Sequence, residues 1–173
     1  MAIPEHFKIP SKPVAAPEAV VLAGCARFTV LSARMIRLEY HADQLFEDRA
    51  SQVVWLRQQP VPPFSVQQRA GELILQTEVL RLHYQEGKAF SAETMSIEIL
   101  GTPLRWQYGM EHKDNLLGTT RTLDQADGAV PLEPGLLSNR GWTVVDDSSS
   151  LVFNERGWLT ERQPGGLDAY FIG

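Results

Sequence analysis

An all-β antiparallel sandwich holding one long, ordered loop is predicted by three features of this 173-residue chain. Apolar and polar residues alternate over short runs, and turn-forming residues recur between those runs. No window of a dozen residues carries the i, i+3, i+4, i+7 apolar stripe of a helix, so two packed sheets are the expected architecture. The length lies within the range of one domain and is enough to bury one core.

Residues 1–18 read as an extended arm, because Pro4, Pro10, Pro13 and Pro17 block ladder donation and disfavour helix before them. The sandwich is expected over residues 19–173. Phe28 and Val30 alternate with Arg27 and Thr29, then Ile36, Leu38 and Tyr40 with Arg37 and Glu39. Ser51–Arg57 is expected as a further strand around Val53, Val54 and Trp55. After Pro60, Pro62 and Pro63, three runs form a predicted meander: Phe64–Arg69, Glu72–Thr77 across a tight Ala70-Gly71 turn, and Val79–Gln85. Met95–Leu100 and Leu104–Trp106 follow. Beyond the loop, strand character returns at Gly141–Val145, Ser150–Phe153, Gly157–Glu161 and Asp168–Ile172.

The loop is the stretch Asn115 to Ser150. Connections longer than about 12–15 residues without secondary structure are uncommon in compact domains. Disorder is disfavoured because the stretch carries Leu116, Leu117, Leu123, Val130, Leu132, Leu136, Leu137 and Trp142, more apolar surface than a solvated tail holds. These leucines predict an exposed apolar patch beside the loop, to be covered by a partner surface or by a second copy of the chain.

Charge and cysteine usage narrow the function. The net charge is −5, and 16 Lys and Arg are scattered among 21 Asp and Glu, which argues against nucleic acid and anionic membrane as partners. Cys25 stands alone, so no intramolecular disulfide or cysteine metal cluster can form, and a reducing compartment is expected. The first twenty residues lack the apolar core of a signal peptide, and no run approaches the roughly 18 apolar residues of a membrane span. The expected location is cytoplasmic.

No motif specifies a reaction. His6, His41, His83 and His112 lie far apart without zinc spacing, so no metal is expected. Gly118-Thr119-Thr120 and Gly165-Gly166 lack the spacing of a phosphate cradle, and no serine sits in a nucleophile elbow, so no cofactor is expected either. Acidic residues gather near the loop at Asp114, Asp124, Asp127, Glu133, Asp146 and Asp147. Paired carboxylates can serve glycosidic chemistry, yet such residues equally build Asx turns and strand ends. Trp142 and Trp158 each follow a glycine and could stack on a sugar ring or plug an end of the sandwich, and the latter is expected, with Trp55 and Trp106 further toward the core.

The runs Asn115-Leu116-Leu117-Gly118-Thr119-Thr120-Arg121-Thr122-Leu123-Asp124, Val130 to Ser138, Gly141-Trp142 and Asp146-Asp147-Ser148 resemble the N-terminal domain of glycoside hydrolase family 31, the α-glucosidase and α-xylosidase group. Ile36 to Tyr40, Phe46 to Arg49 and Asp168 to Gly173 resemble the same domain, so the likeness covers about Val20 to Gly173. Leu117 departs from it, standing where a second glycine is expected. The resemblance implies a galactose-mutarotase-like sandwich that is itself non-catalytic. It would pack on a catalytic (β/α)8 barrel of the same parent chain and help form the pocket for an α-linked oligosaccharide. The two aspartates of retaining cleavage would belong to that barrel. Asp146, Asp147, Arg140 and Trp142 are the implied substrate-side contacts. An aromatic strand, Tyr170-Phe171-Ile172, running to Gly173 leads us to expect that the native chain continues. The alternatives are a stand-alone carbohydrate-binding sandwich using Trp142 or Trp158, and a sugar 1-epimerase, which would need a histidine and a glutamate converging in a cleft.

Overall fold

The computed structural model describes residues 3–118, 128, 130–132 and 134–173. Asp124, Asp127, Glu133 and Leu123 of the predicted loop lie outside the described residues.

Two five-stranded antiparallel sheets pack face to face. The first contains β1 (Val20–Ala23), β2 (Ala26–Ser32), β3 (Met35–Tyr40), β9 (Thr143–Asp146) and β12 (Leu167–Ile172), in the order β1-β2-β3-β12-β9. The second is a meander of β4 (Phe64–Arg69), β5 (Glu72–Thr77), β6 (Leu80–Gln85), β7 (Met95–Ile99) and β8 (Arg105–Gln107). A small hairpin joins β10 (Val152–Phe153) to β11 (Leu159–Thr160). The turn from β4 to β5 places Ala70 at φ 50° and Gly71 at φ 82°. Two successive positive φ values give the tight hairpin whose twist matches its strands.

Strand periodicity places the core. Phe28, Ile36, Leu38 and Phe171 project from the first sheet onto Leu73, Leu75, Leu82, Ile97 and Trp106 of the second, all buried in one cluster. Tyr84 lies in the same cluster and its hydroxyl donates to the Lys88 carbonyl at 2.6 Å, which satisfies the polar end of a buried ring.

The structure corrects two expectations. Ser51–Arg57 is not a strand: the Ser51 hydroxyl accepts the N–H groups of Val53 (3.2 Å) and Val54 (2.9 Å), which turns the chain. Beyond that turn the segment pairs with the arm, where Lys12 N–H reaches the Trp55 carbonyl at 2.9 Å and Arg57 N–H reaches the Lys12 carbonyl at 2.8 Å. Trp55, expected toward the core, is exposed instead. The polar faces of β2, β3 and β12 are covered, with Thr29, Arg37, Glu39 and Asp168 all buried. No helix among the described residues is long and apolar enough to cross a membrane.

Candidate functional site

The covered outer face of the first sheet carries a chain of alternating charges. Antiparallel register sets Arg27 beside Glu39, Glu39 beside Asp168, and Arg37 beside both Thr29 and Tyr170. Arg37 grips Asp168 with two bonds of 2.7 Å and touches Glu39 at 3.1 Å. Arg27 grips Glu39 with bonds of 2.6 and 2.8 Å. From the other side Arg162 bridges Asp168 at 2.7 Å and Asp147 at 2.6 Å. Arg57 donates to the Tyr170 hydroxyl at 2.7 Å and to the Arg49 carbonyl at 2.8 Å, while its Nη2 stands 3.9 Å from Asp147. Buried charges are tolerated when they are paired and hydrogen-bonded in this way.

The two central carboxylates titrate in opposite directions. At Asp168 burial resists ionisation, but bonds and charge from Arg37 and then Arg162 prevail and hold the carboxyl below its usual range. At Glu39 burial prevails over Arg27 and Arg37, and the carboxyl is pushed up. Burial likewise lifts the Tyr170 phenol to about 12, against the nearby Arg37.

The four predicted contacts are separated by this architecture. Asp147 is fully buried in the charge chain, held by Arg162. Asp146, its neighbour, is exposed at the end of β9, where its Oδ1 accepts the Ser148 N–H at 2.9 Å in an Asx turn. Trp142 is buried, with its ring stacked 4.0 Å from His112 and 6.2 Å from Phe171. Arg140 is exposed and pairs with Asp114 at 2.8 Å. None of the four lines the clefts described below.

The sequence reading missed Arg37, Arg57 and Arg162 as organisers of this face. Their signal was present as opposite charges inside apolar strands, yet only the strand register says which of them meet.

Asn115 closes the loop. Its Oδ1 accepts the N–H of Leu117 at 2.7 Å and of Gly135 at 2.8 Å, and its Nδ2 donates to the Gly135 carbonyl at 2.8 Å. Leu116 N–H reaches the Leu137 carbonyl at 2.9 Å. Gly135 is required by closeness: a Cβ there would lie 2.6 Å from the Leu117 carbonyl oxygen. Leu117 itself sits at φ 61°, in the left-handed region that residues other than glycine rarely adopt. Asn115→Ala is expected to raise amide exchange of Leu117 and Gly135 by a loss of roughly 2–3 kcal/mol of local protection, since two backbone donors and one acceptor lose their partner. Hydrogen exchange checks this, and unchanged protection at both amides would show that the side chain is not the clasp.

With its ends closed, the loop presents its described leucines outward. Leu116, Leu117 and Leu132 are exposed, and Leu136 and Leu137 are 67% and 70% exposed. Leu136 borders an apolar groove of about 600 Å³ whose other walls include Val53, Trp55, Leu56, Val145 and Ile172. A second cleft of about 530 Å³, lined by both charged and apolar residues, lies between the Leu45–Arg49 segment and residues 161–168. A third, of about 390 Å³, runs under the arm past Val14 and Pro17. On the outer side of the second sheet His83 meets Glu72 at 3.0 Å and Glu98 at 3.6 Å, outside all three clefts. Among the described residues no three His, Cys, Asp or Glu side chains are placed to share a metal ion.

No family model matches the chain, and no curated protein matches it.

Proposed function

We propose that the chain is the non-catalytic β-sandwich domain of a retaining α-glycosidase of the family 31 type, packing on a (β/α)8 barrel and walling its substrate pocket. The observation that carries this reading is the row of outward leucines on a clasped loop. Solvated loops gain nothing from exposing Leu116, Leu117, Leu136 and Leu137 together, whereas a contiguous apolar surface marks a docking face. A barrel active site opens at a mouth built from loops, and a rigid lip set against it deepens the pocket and excludes water. In this arrangement the barrel's two carboxylates perform the cleavage. The sandwich contributes shape, and α-linked oligosaccharide is the substrate class.

The test is to express the reading frame through and past Gly173 and assay aryl α-glucosides and α-xylosides. Activity is expected only with a barrel attached. In that protein Leu136→Asp with Leu137→Asp should leave the sandwich's own stability within about 0.5 kcal/mol, because both side chains are exposed, while kcat/KM falls as the lip detaches. A reading frame encoding no barrel, or full activity in the double variant, overturns the proposal.

A second reading, carbohydrate binding without a barrel, is favoured by Trp158, which is 52% exposed beside β11. Calorimetric titration of the chain with α-linked oligosaccharides separates the two readings.

A further inference from the structure

We infer that the free edge of β4 pairs with the same strand of a second copy of this chain, so that two meanders join into one continuous antiparallel sheet about a two-fold axis. The inference does not rest on the docking role of the loop and uses different residues. In the second sheet β4 bonds β5 along one side, and no described residue pairs with its other side. At six residues it is also the longest of the four end strands, since β1 and β9 have four and β8 has three.

The turn into β5 fixes which backbone groups of β4 point outward. Glu86 N–H bonds the Gly71 carbonyl at 2.9 Å, so alternate residues from Gly71 onward bond β6, and Glu72, Ile74 and Gln76 are left to bond β4. Their partners there are Arg69, Gln67 and Ser65. In an antiparallel ladder the intervening residues face the other way, which turns the N–H and C=O groups of Phe64, Val66 and Gln68 away from the sheet. Unpaired edge groups are a template for another strand, and natural edges are blunted by charge, proline or a bulge. Along β4 these devices are missing: its register with β5 is unbroken, the prolines stop at Pro63, and its single charge, Arg69, stands at the end.

Register selects a second copy as the occupant. Antiparallel strands bond where outward-facing residues meet outward-facing residues, and the self-pairing that uses Phe64, Val66 and Gln68 together sets Val66 opposite its own counterpart on the axis. Phe64 then lies opposite Gln68, and Ser65 opposite Gln67. No like charges meet, because every side chain in those pairs is neutral and Arg69 falls beyond them, opposite Pro63. Val66, left 40% exposed, gains an apolar neighbour at the axis. Ser65, Gln67 and Gln68 are exposed as well, so the edge is open to an approaching strand. One paired edge buries less than the roughly 1,200 Å² of a stable interface, so the dimer is weak and reversible.

The experiment is sedimentation velocity of the chain from roughly 10 μM to roughly 1 mM, with amide exchange measured at both ends of that range. A dimer is expected toward the upper end, with new protection at the Phe64, Val66 and Gln68 amides and little change at Ser65, Gln67 and Arg69, which already bond β5. Val66→Lys puts like charges opposite one another on the axis and should weaken self-association about five- to tenfold. Val66→Glu should do the same, and an equimolar mixture of the two variants should restore it. Unfolding midpoints of both variants at low concentration check that the monomer is intact. Leu136→Asp with Leu137→Asp should leave the dimer unchanged, since the loop takes no part in it. A chain that stays monomeric at the highest concentration, a dimer that survives Val66→Lys, a mixture no stronger than either variant alone, or a dimer lost with the two leucines would each overturn the assignment.

Discussion

Replacing Arg37 with methionine is expected to cost about 3–5 kcal/mol, because it takes a guanidinium from both Asp168 and Glu39 and leaves Arg162 and Arg27 alone to hold two buried carboxylates. Methionine fills much of the same volume, so the loss reads out charge pairing more than packing. Asp168→Asn should be comparably severe, since Arg37 and Arg162 each lose one of their two carboxylate partners. The pH dependence distinguishes the two acids. Asp168 titrates below its ordinary value in the folded chain, so its contribution is present above the unfolded aspartate range of about 3.9 and disappears as pH falls below it. Glu39 titrates above its ordinary value, so its contribution is present at acid pH and is lost as pH rises through the folded value. Glu39→Gln should accordingly cost less at pH 7 than Asp168→Asn, and Asp168→Asn should flatten the acid limb of the stability curve. Denaturant midpoints measured from pH 3 to pH 8 decide the matter. An Arg37→Met chain as stable as the parent would show that the ion pairs only break even with an apolar replacement.

Trp142→Ala should cost about 3–5 kcal/mol, the range for deleting a large aromatic from a packed core. The ring is sandwiched between His112 and Phe171, and Phe171 continues the stack to Trp106 at 5.2 Å, so truncation opens a void at one end of the sandwich. Trp142→Phe preserves an aromatic face and should cost considerably less. Sugar affinity measured well below the melting temperature should be unchanged by either variant. A loss of affinity without a loss of stability would support the substrate-side role that the sequence resemblance implies for Trp142.

Much of the fold could be read from the residues because its strands obey period two. Ile97 and Ile99, or Leu73 and Leu75, can face the core only in that spacing, and both pairs do. Ser51–Arg57 misled because Val53, Val54 and Trp55 are good strand formers, and the Ser51 hydroxyl that turns them is a local bond invisible to periodicity. The covered face was illegible for another reason. Arg37, Glu39 and Asp168 occupy the positions that solvent-facing residues occupy in a two-layer sandwich, and nothing local to them tells that the arm and two loops fold across. Asp146 and Asp147 illustrate the limit most sharply: identical neighbours, one in water and the other sealed inside, separated only by which side of a pleat each falls on. Leu116, Leu117, Leu132, Leu136 and Leu137, by contrast, were legible as a group, since that many apolar residues in an irregular stretch require either a core or a partner.

The position of β12 between β3 and β9 has a consequence for how the chain assembles. The meander from β4 to β8 joins only sequence neighbours, so it can zip as soon as it leaves the ribosome. The first sheet has to wait: its hairpins β1 to β3 are made early, yet the second partner of β3 is β12, more than a hundred residues further along the chain. Until then Arg37 has no Asp168, and the carboxylate and guanidinium that seal the outer layer meet only in the closing step. The latch that seals the outer layer is thus engaged by β12 and by no strand that precedes it.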